Sequence, residues 1–586
     1  MSAPRAFSVG SLPETVRTAS NTTLETATPL ALGSVCNAAT TGQAVDHYRF
    51  EAHRGQRVVI ECAARGIDSR LQPVLVLADA AGRDLVVERR GGMLDVAIPE
   101  DGAYVVKIHD LSFQGGPPFF YRLTLREAAA GEVPQTHPAV RGVSACSWPP
   151  AGLPAAAAVS EAEPNDAVPQ PITLPCDVAG AFLTPADVDG YEFEAQEGEV
   201  WWIEVASERL GAPTDPAVVV QRVIGSGPDE QVEDVAELTD IPSPLRPSTN
   251  HYSYDGPPYD AGSADVLGSV TIKQSGRHRL RIRDLFGGTR AEPRSVYRLV
   301  VRRAAPDFAL VGWGLHMELR NGDRNDLSKT PALRPGSTVA FEVVALRRDG
   351  FDGPITLEVD GLPPGVTAAG LTIPQGAGRG IVLLSAAADA PAGSTTLKIV
   401  GRATIGEGSV TRPCAIASVA WPVRDHWQEI PITRLLADPV VSVGSAETAP
   451  LTIELAAAGP IEAVAGTTVR LPLRLAKRSE FSGGVLQLRA FGPGFEGLPA
   501  FDVPLAADAH EAVIDLEKLK IAPGEHTIAF YGTAIVRYRP AVKPGAEPPA
   551  PSDTAEIVVS TPIRLRVTAP PGNAAAGTTD NGGNAS

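Results

Sequence analysis

The sequence predicts an all-β protein built from four β-sandwich modules in series, and three observations support this fold class. Short segments such as 58–62, 201–205 and 339–343 show partial two-residue alternation of apolar and polar side chains and contain β-branched residues, as strands do. The 57 Gly and 53 Pro are spread along all 586 residues, which is typical of turns between short strands and unfavourable for helices. The third observation is that the sequence repeats itself twice.

The first repeat relates residues 18–128 to residues 161–304. The segment Asp46-His-Tyr-Arg-Phe-Glu-Ala returns as Asp189-Gly-Tyr-Glu-Phe-Glu-Ala, an offset of 143 (46 to 189). The closing strand that begins at Tyr121 returns at Tyr297. The second copy is longer because it contains an acidic insertion with several tyrosines. We therefore expect these two segments to share one fold, the second with an added loop.

The second repeat relates residues 305–424 to residues 447–569. Here Pro335-Gly-Ser-Thr-Val matches Ala465-Gly-Thr-Thr-Val, and both precede strand-like segments. Four segments are predicted to be linkers or ends rather than modules; the linker at 129–160 is rich in alanine, proline and glycine, and the tail in alanine, glycine, asparagine and threonine. These are an N-terminal segment at 1–17, linkers at 129–160 and 425–446, and a disordered tail at 570–586.

The charge of the chain excludes two classes of partner. With 68 acidic and 51 basic residues the net charge is −17, so binding to nucleic acid or to an anionic membrane surface is not expected. No apolar run reaches the length of a membrane span. The first residues lack the charged and then apolar pattern of a secretory signal, so we expect the export signal to lie upstream of this sequence.

Residues 18–127 and 161–303 resemble the bacterial pre-peptidase C-terminal domain. The resemblance rests on the opening Glu161-Ala-Glu-Pro-Asn-Asp, on the Asp-x-Tyr-x-Phe-Glu-Ala strand, and on a late Arg-Asp-Leu followed by Tyr-Arg-Leu. It implies a jelly-roll-like β-sandwich of the kind found beside secreted peptidases, in surface proteins and in collagen-binding domains. Residues 305–424 resemble bacterial immunoglobulin-like modules, with the last module a diverged relative. Chains of this type are extracellular, attached to the cell surface or periplasmic.

A calcium site is predicted at the start of the second copy only. Carboxylates and an amide are concentrated there, calcium takes six to eight oxygen ligands, and so many acids together would repel one another without a cation. Equivalent residues bind calcium in the related collagen-binding domains, although a solvated turn is the alternative. The first copy has Asn21-Thr-Thr-Leu in place of the acidic opening and Ala44 in place of Asp187, so we expect no calcium there. The candidate ligands are Glu161, Glu163, Asn165, Asp166, Asp187 and Asp189.

Two further features are candidate sites. The insertion of the second copy carries Tyr252, Tyr254 and Tyr259, whose rings could contact a sugar or an extended peptide. Cys36 and Cys62 could form a disulfide within the first module, or they could be two buried thiols. The cysteines form no CxxC pair, so the sequence offers no zinc or thioredoxin-like motif.

The sequence contains no nucleophile, metalloprotease, phosphate-loop or dinucleotide motif. We therefore expect a non-enzymatic binding and spacing protein outside the cytoplasm, whose first two modules engage protein or polysaccharide of a matrix or cell surface. Calcium would make the second module rigid. The alternative is that the chain is the accessory C-terminal part of a longer secreted peptidase or other hydrolase, with a catalytic domain upstream.

Overall fold

The computed structural model describes residues 5–132, 134, 153–242, 262–287, 294–315, 331–419, 433–445, 447–538, 547 and 550–570. Within these ranges the chain is built from β-strands and four single-turn 3-10 helices, with no α-helix, which confirms the all-β prediction. None of the described helices could cross a membrane. The tyrosines at 252, 254 and 259 and the predicted tail after residue 570 lie outside the described residues. The 3-10 helices are Arg65–Ile67, Ala155–Ala157, Glu208–Leu210 and Gly227–Asp229.

The first module is a sandwich of two five-stranded sheets. Their strand orders are β1-β3-β10-β5-β8 and β2-β4-β9-β6-β7. Apolar side chains from both sheets fill the space between them, with Tyr48, Leu75 and Leu123 fully buried at its centre. The strands are β1 Glu14–Val16, β2 Thr28–Pro29, β3 Ser34–Ala39, β4 Asp46–Ala52, β5 Arg57–Ala63, β6 Pro73–Asp79, β7 Asp84–Glu88, β8 Met93–Ala97, β9 Gly102–Asp110 and β10 Phe120–Glu127.

The second module repeats this topology strand for strand. Its sheets have the orders β11-β13-β21-β15-β19-β18 and β12-β14-β20-β16-β17, in which β18 is the added strand. A β-bulge at Leu77/Ala78 in the first module recurs at Val220/Gln221 in the second, at the same offset of 143 (77 to 220). The strands are β11 Ala158–Ser160, β12 Gln170–Pro171, β13 Cys176–Ala181, β14 Val188–Ala195, β15 Val200–Ala206, β16 Pro216–Ile224, β17 Gln231–Leu238, β18 Asp240–Ile241, β19 Ser263–Thr271, β20 Gly276–Asp284 and β21 Val296–Arg302.

The third module has one large sheet and one small sheet. The large sheet runs β26-β28-β24-β22-β31-β30-β25-β27, with β32 paired to β31, and the small one runs β23-β33-β29. The strands are β22 Asp307–Gly314, β23 Ala332–Leu333, β24 Thr338–Arg348, β25 Ile355–Asp360, β26 Val366–Gly370, β27 Thr372–Ile373, β28 Arg379–Ala386, β29 Gly393–Thr396, β30 Lys398–Ile405, β31 Gly408–Val419, β32 Thr433–Leu436 and β33 Val440–Val443.

The fourth module repeats part of the strand pairing of the third, although its sheets differ: one runs β34-β36-β40 and the other β35-β43-β41-β38-β39, with β37 and β42 paired to β41. Val339 lies opposite Leu384 in the third module, and Val469 lies opposite Ile514 in the fourth, at an offset of 130 (339 to 469). The strands are β34 Leu451–Leu455, β35 Ile461–Val464, β36 Thr468–Lys477, β37 Glu480–Ser482, β38 Val485–Phe491, β39 Phe501–Pro504, β40 Ala509–Asp515, β41 Gly524–Tyr538, β42 Ser552–Val559 and β43 Ile563–Thr568.

The structure places β1 inside the predicted N-terminal segment 1–17 and β11 inside the predicted linker 129–160, each paired into a module sheet. It also corrects the predicted linker at 425–446. Two strands, β32 and β33, fall inside that range, and β33 pairs with β29 and β23 of the third module. The alternating segment Val440-Val-Ser-Val buries Val441 and Val443 in the core of that module. Asp438-Pro439 lies directly before β33, and an Asp-Pro pair is typical of a turn rather than of a strand.

The disulfide between Cys36 and Cys62 is also corrected, because both cysteines are free and buried. Cys36 in β3 and Cys62 in β5 both lie opposite Leu123, on the two sides of β10. Two strand spacings separate their backbones by about 9.6 Å, whereas a disulfide requires Cα atoms within about 7 Å. Burial raises the pKa of the Cys62 thiol, so this side chain behaves as a small apolar residue.

We expect a reducing agent to leave the melting temperature of the protein unchanged, because there is no bond at Cys36 and Cys62 for it to break. A thermal melt with and without dithiothreitol tests this. An alkylating reagent should modify these two thiols only after unfolding. A midpoint that falls on reduction would show that a disulfide forms after all.

Neighbouring modules are joined by buried contacts. Between the second and third modules, Glu204 of β15 binds Arg348 of β24, and Arg302 of β21 binds Asp349, with every side chain at most 5% exposed. Between the third and fourth modules, an apolar cluster joins Leu383 of β28 to Phe491 and other residues of the last module. Both junctions therefore contain buried side chains.

Candidate metal centre

Three carboxylates of the second module converge at one place. Glu161 directly follows β11, Glu163 lies in the loop after it, and Asp189 belongs to β14. Carboxylate oxygens of these three residues lie within 4.8 Å of one another. Because Glu161 and Asp189 are 28 positions apart in sequence (161 to 189), the packing of the β11–β12 segment against β14 creates the cluster.

Glu161 is held in place by several donors. Its Oε1 accepts hydrogen bonds from the hydroxyls of Tyr297 (2.8 Å) and Tyr191 (3.0 Å) and from the amide of Asn165 (3.2 Å). Its Oε2 accepts the backbone N–H of Ala181 at 2.8 Å. The two tyrosine hydroxyls also lie 2.6 Å apart, so either one can donate to the other in place of its bond to Glu161. Donors on both oxygens fix the direction of the Glu161 carboxylate.

Asp189 is the unusual member of the cluster. Its side chain is fully buried, and neither carboxylate oxygen has a hydrogen-bond partner. Burial, followed by the charge of nearby Glu161, raises the pKa of Asp189 to about 9. A buried carboxylate without donors requires either a proton or a cation.

Glu163 completes the cluster from the solvent side. Its Oε2 accepts the backbone N–H of Asn165 at 2.9 Å. Partial burial, and then the charges of Asp187 and Glu161, raise the pKa of Glu163. The charges of these neighbouring carboxylates disfavour ionisation of Glu163.

The other three predicted ligands do not join the cluster. Asn165 is buried, but its Oδ1 accepts the backbone N–H of Gly190 at 2.9 Å, so it braces the site. The side chain of Asp187 instead accepts the backbone N–H groups of Leu183 and Thr184. Asp166 contributes its backbone carbonyl to Arg281 at 2.6 Å.

The first module has a different group at the corresponding place. The backbone N–H of Arg17 bonds to Asn37 at 3.0 Å, just as that of Glu161 bonds to Ala179 at 3.0 Å, so the two residues are structurally equivalent. The Arg17 guanidinium lies 2.5 Å from the Oδ1 of Asp46, which is the counterpart of Asp189. It also donates to the side chain of Asn21 at 2.6 Å.

Asp46 is therefore fully satisfied. Besides Arg17, its carboxylate accepts the Thr41 hydroxyl at 3.1 Å and the Tyr121 hydroxyl at 2.9 Å. Tyr121 and Tyr48 form the same hydroxyl pair as in the second module, again at 2.6 Å. Both sandwiches therefore contain a buried aspartate close to a pair of tyrosine hydroxyls. They differ in the charged side chain next to the aspartate, which is Arg17 in the first module and Glu161 in the second.

The sequence reasoning missed Arg17. Its charge opposes that of Glu161 at a matched position, and this reversal was the signal available. The charge reversal is hidden in the sequence because an alignment of the two copies with an offset of 143 pairs Glu161 with Thr18 rather than with Arg17 (18 to 161). The structure shows that the loop of the second module is shorter by one residue between this position and β14.

The loop held by Asp187 reaches the first module. Between the two modules lies a cleft of about 120 Å³, which Thr184 and Asp187 line on one side and Glu88 and Arg90 on the other. The Arg90 guanidinium stacks on the ring of Phe286 with 3.0 Å to its centre. The candidate metal centre is thus two residues from a contact between modules.

Comparison with known proteins gives no family. No family model and no curated protein matches the chain. Among solved structures, a periplasmic inhibitor of g-type lysozyme from Aeromonas hydrophila aligns with 20% of this chain and 99% of its own, at 12% identity and a TM-score of 0.15. Domains 5–6 of the S-layer protein SbsC align with 40% of this chain and 93% of their own, at 14% identity and a TM-score of 0.15. The D0–D1 domain of intimin aligns with 45% of this chain and 100% of its own, at 11% identity and a TM-score of 0.14. Scores this low support no conclusion about this protein.

Proposed function

We propose that this chain is a non-catalytic binding and spacing protein that works outside the cytoplasm, and that its second module holds a calcium ion. Its first two modules are proposed to be pre-peptidase C-terminal domains and its last two to be immunoglobulin-like. The single observation that carries the proposal is Asp189, a fully buried carboxylate with two unpartnered oxygens beside two further carboxylates.

The donor set suits calcium. All three residues offer carboxylate oxygens, which a hard cation of this size prefers, and nitrogen or sulfur ligands are absent from the cluster. Glu161, Glu163 and Asp189 would hold the ion, with water completing the six to eight ligands that calcium takes. When bound, the ion would neutralise Asp189 and fix the segment from Glu161 to Asn165 against β14.

The spacing role rests on the junctions. A flexible chain of independent domains would have polar, hydrated contacts between modules, whereas here charged side chains at the second junction and apolar ones at the third are buried. The module pairs are therefore proposed to keep a fixed relative orientation. The first two modules would present their surfaces to a protein or polysaccharide partner, with the last two acting as the spacer.

Calcium should raise the melting temperature of the second module, and a chelator should lower it. At a calcium concentration of 100 times the Kd, the gain in the free energy of unfolding is about 2.7 kcal/mol. Differential scanning calorimetry with calcium and with EGTA measures this.

Asp189→Asn is the informative variant, because it removes the buried charge while keeping the shape of the side chain. We expect its melting temperature to be the same in calcium and in EGTA, and at least that of the wild type in EGTA. Asp166→Asn, outside the cluster, is the matched control and should keep the full response. A wild-type midpoint that calcium does not move would exclude the proposed site.

A further inference from the structure

We propose that the residue following the first strand of each of the first two modules decides how the buried aspartate is neutralised. In the first module Arg17 is a permanent internal cation, and in the second Glu161 replaces it and creates a demand for a metal. Only the second module, together with its junction to the first, then responds to calcium. This inference rests on the proposed function and extends it to regulation.

The equivalence of the two positions is geometric. Each residue makes the same backbone hydrogen bond to the neighbouring strand, and each lies beside a pair of tyrosine hydroxyls 2.6 Å apart. The Arg17 guanidinium contacts Asp46 and Asn21, while the Glu161 carboxylate lies beside Asp189 and Asn165. The same three positions therefore surround the same space in both modules.

The charge around the buried aspartate differs between the two modules for two reasons. The second module has Glu161 where the first has Arg17, and it has an additional acid, Glu163. Arg17 and Asp46 balance each other in the first module. In the second, the three carboxylates of the cluster have no ion pair with a lysine or arginine of the described residues. Glu163 has its counterpart in Ala19, so the first module lacks both acids that would make a metal site there. A guanidinium and a divalent cation are alternative ways of offsetting a buried carboxylate.

The response to metal should reach the junction through one short loop. Asp187, two residues before Asp189, accepts the backbone N–H groups of Leu183 at 2.6 Å and Thr184 at 3.1 Å. Thr184 and Asp187 line the cleft against Glu88 and Arg90 of the first module. An ion that fixes the start of β14 thus also fixes the loop that touches the neighbouring module.

The test exchanges, within the whole chain, the two ways of neutralising the buried aspartate: one variant places arginine in the second module, and another places two glutamates in the first. Isothermal titration with calcium chloride should give one site for the wild type, none for Glu161→Arg, and two for Arg17→Glu combined with Ala19→Glu. The melting temperature of Glu161→Arg should no longer differ between calcium and EGTA. The double variant should be destabilised in EGTA and recover in calcium, which separates a new metal site from simple misfolding.

Hydrogen exchange tests the connection to the junction. Peptides covering 182–188 should exchange at least about tenfold faster in EGTA than in calcium for the wild type, with no difference for Glu161→Arg. The corresponding peptides of the first module, around 40–45, serve as the internal control and should not respond.

The outcomes separate the two proposals. A wild type that binds no calcium would overturn the proposed function. A wild type that binds one ion, with Glu161→Arg still binding one or the double variant gaining none, would leave the calcium site standing and overturn the exchange of Arg17 for a metal. Equal exchange of 182–188 in calcium and EGTA would overturn the connection to the junction.

Discussion

Replacing Glu204 by alanine is expected to lower the free energy of unfolding of the second and third modules by about 3 to 5 kcal/mol. Glu204 is fully buried, and its carboxylate pairs with Arg209 at 2.8 Å, with Arg302 at 3.4 Å and with Arg348 across the junction. Removing it leaves three buried guanidinium groups with fewer negative charges around them. Urea unfolding followed by circular dichroism measures the loss.

The size of this effect depends on burial, and an exposed ion pair provides the control. Glu358 pairs with Arg402 at 3.0 Å, but both side chains are close to half exposed. Glu358→Ala should cost much less than Glu204→Ala, since water solvates the remaining guanidinium of this exposed pair after the change. Equal losses for Glu204→Ala and Glu358→Ala would mean that the junction is open to solvent.

Glu204→Ala should also loosen the spacer. Glu204 and Arg302 belong to the second module, whereas Arg348 and Asp349 belong to the third, so the network is shared across the junction. Small-angle scattering of the folded variant should show a wider distribution of overall dimensions than the wild type. An unchanged profile in a folded variant would show that other contacts set the orientation.

Arg17→Met is expected to destabilise the first module by about 3 kcal/mol, because it removes one partner of a largely buried ion pair. Methionine retains much of the apolar stem but removes the charge that offsets Asp46, which is fully buried. The hydrogen bonds from Thr41 and Tyr121 to Asp46 remain, and this places the effect at the lower end of the usual range. The unfolding transition of the first module in a calorimetric scan reports the loss.

A second substitution identifies the cause. Adding Asp46→Asn to Arg17→Met removes the unpaired charge and should restore part of the stability, so the two changes together should cost less than their sum. Additive losses would show that Arg17 stabilises the module by packing alone. Calcium should not rescue Arg17→Met, because Ala19 leaves the first module without a second acid.

The sequence was sufficient for features that depend on local pattern and on repetition. Partial two-residue alternation in segments such as 58–62, together with dispersed glycine and proline, predicted the all-β class. The offset of 143 predicted two copies of one fold, and the structure extends the match to a shared β-bulge. Glu161, Glu163 and Asp189 were found because acids are concentrated at the start of the second copy.

The remaining features depend on partners that are distant in sequence. Which acids face one another is decided by packing, and so Asp187 caps a loop while Asp189 is left without a donor. Cys36 and Cys62 are plausible partners in sequence, but β10 lies between their strands.

The sequence by itself determined the all-β class, the two duplications and the location of the acidic cluster, because strand periodicity and duplication are visible in the order of neighbouring residues. Only the tertiary structure decided that Arg17 fills in one module the space that Glu161 borders in the other. It also decided that Glu204 meets Arg348 across a junction. The energy of a buried charge depends on the groups that surround it in three dimensions, and no single segment of the chain contains them all.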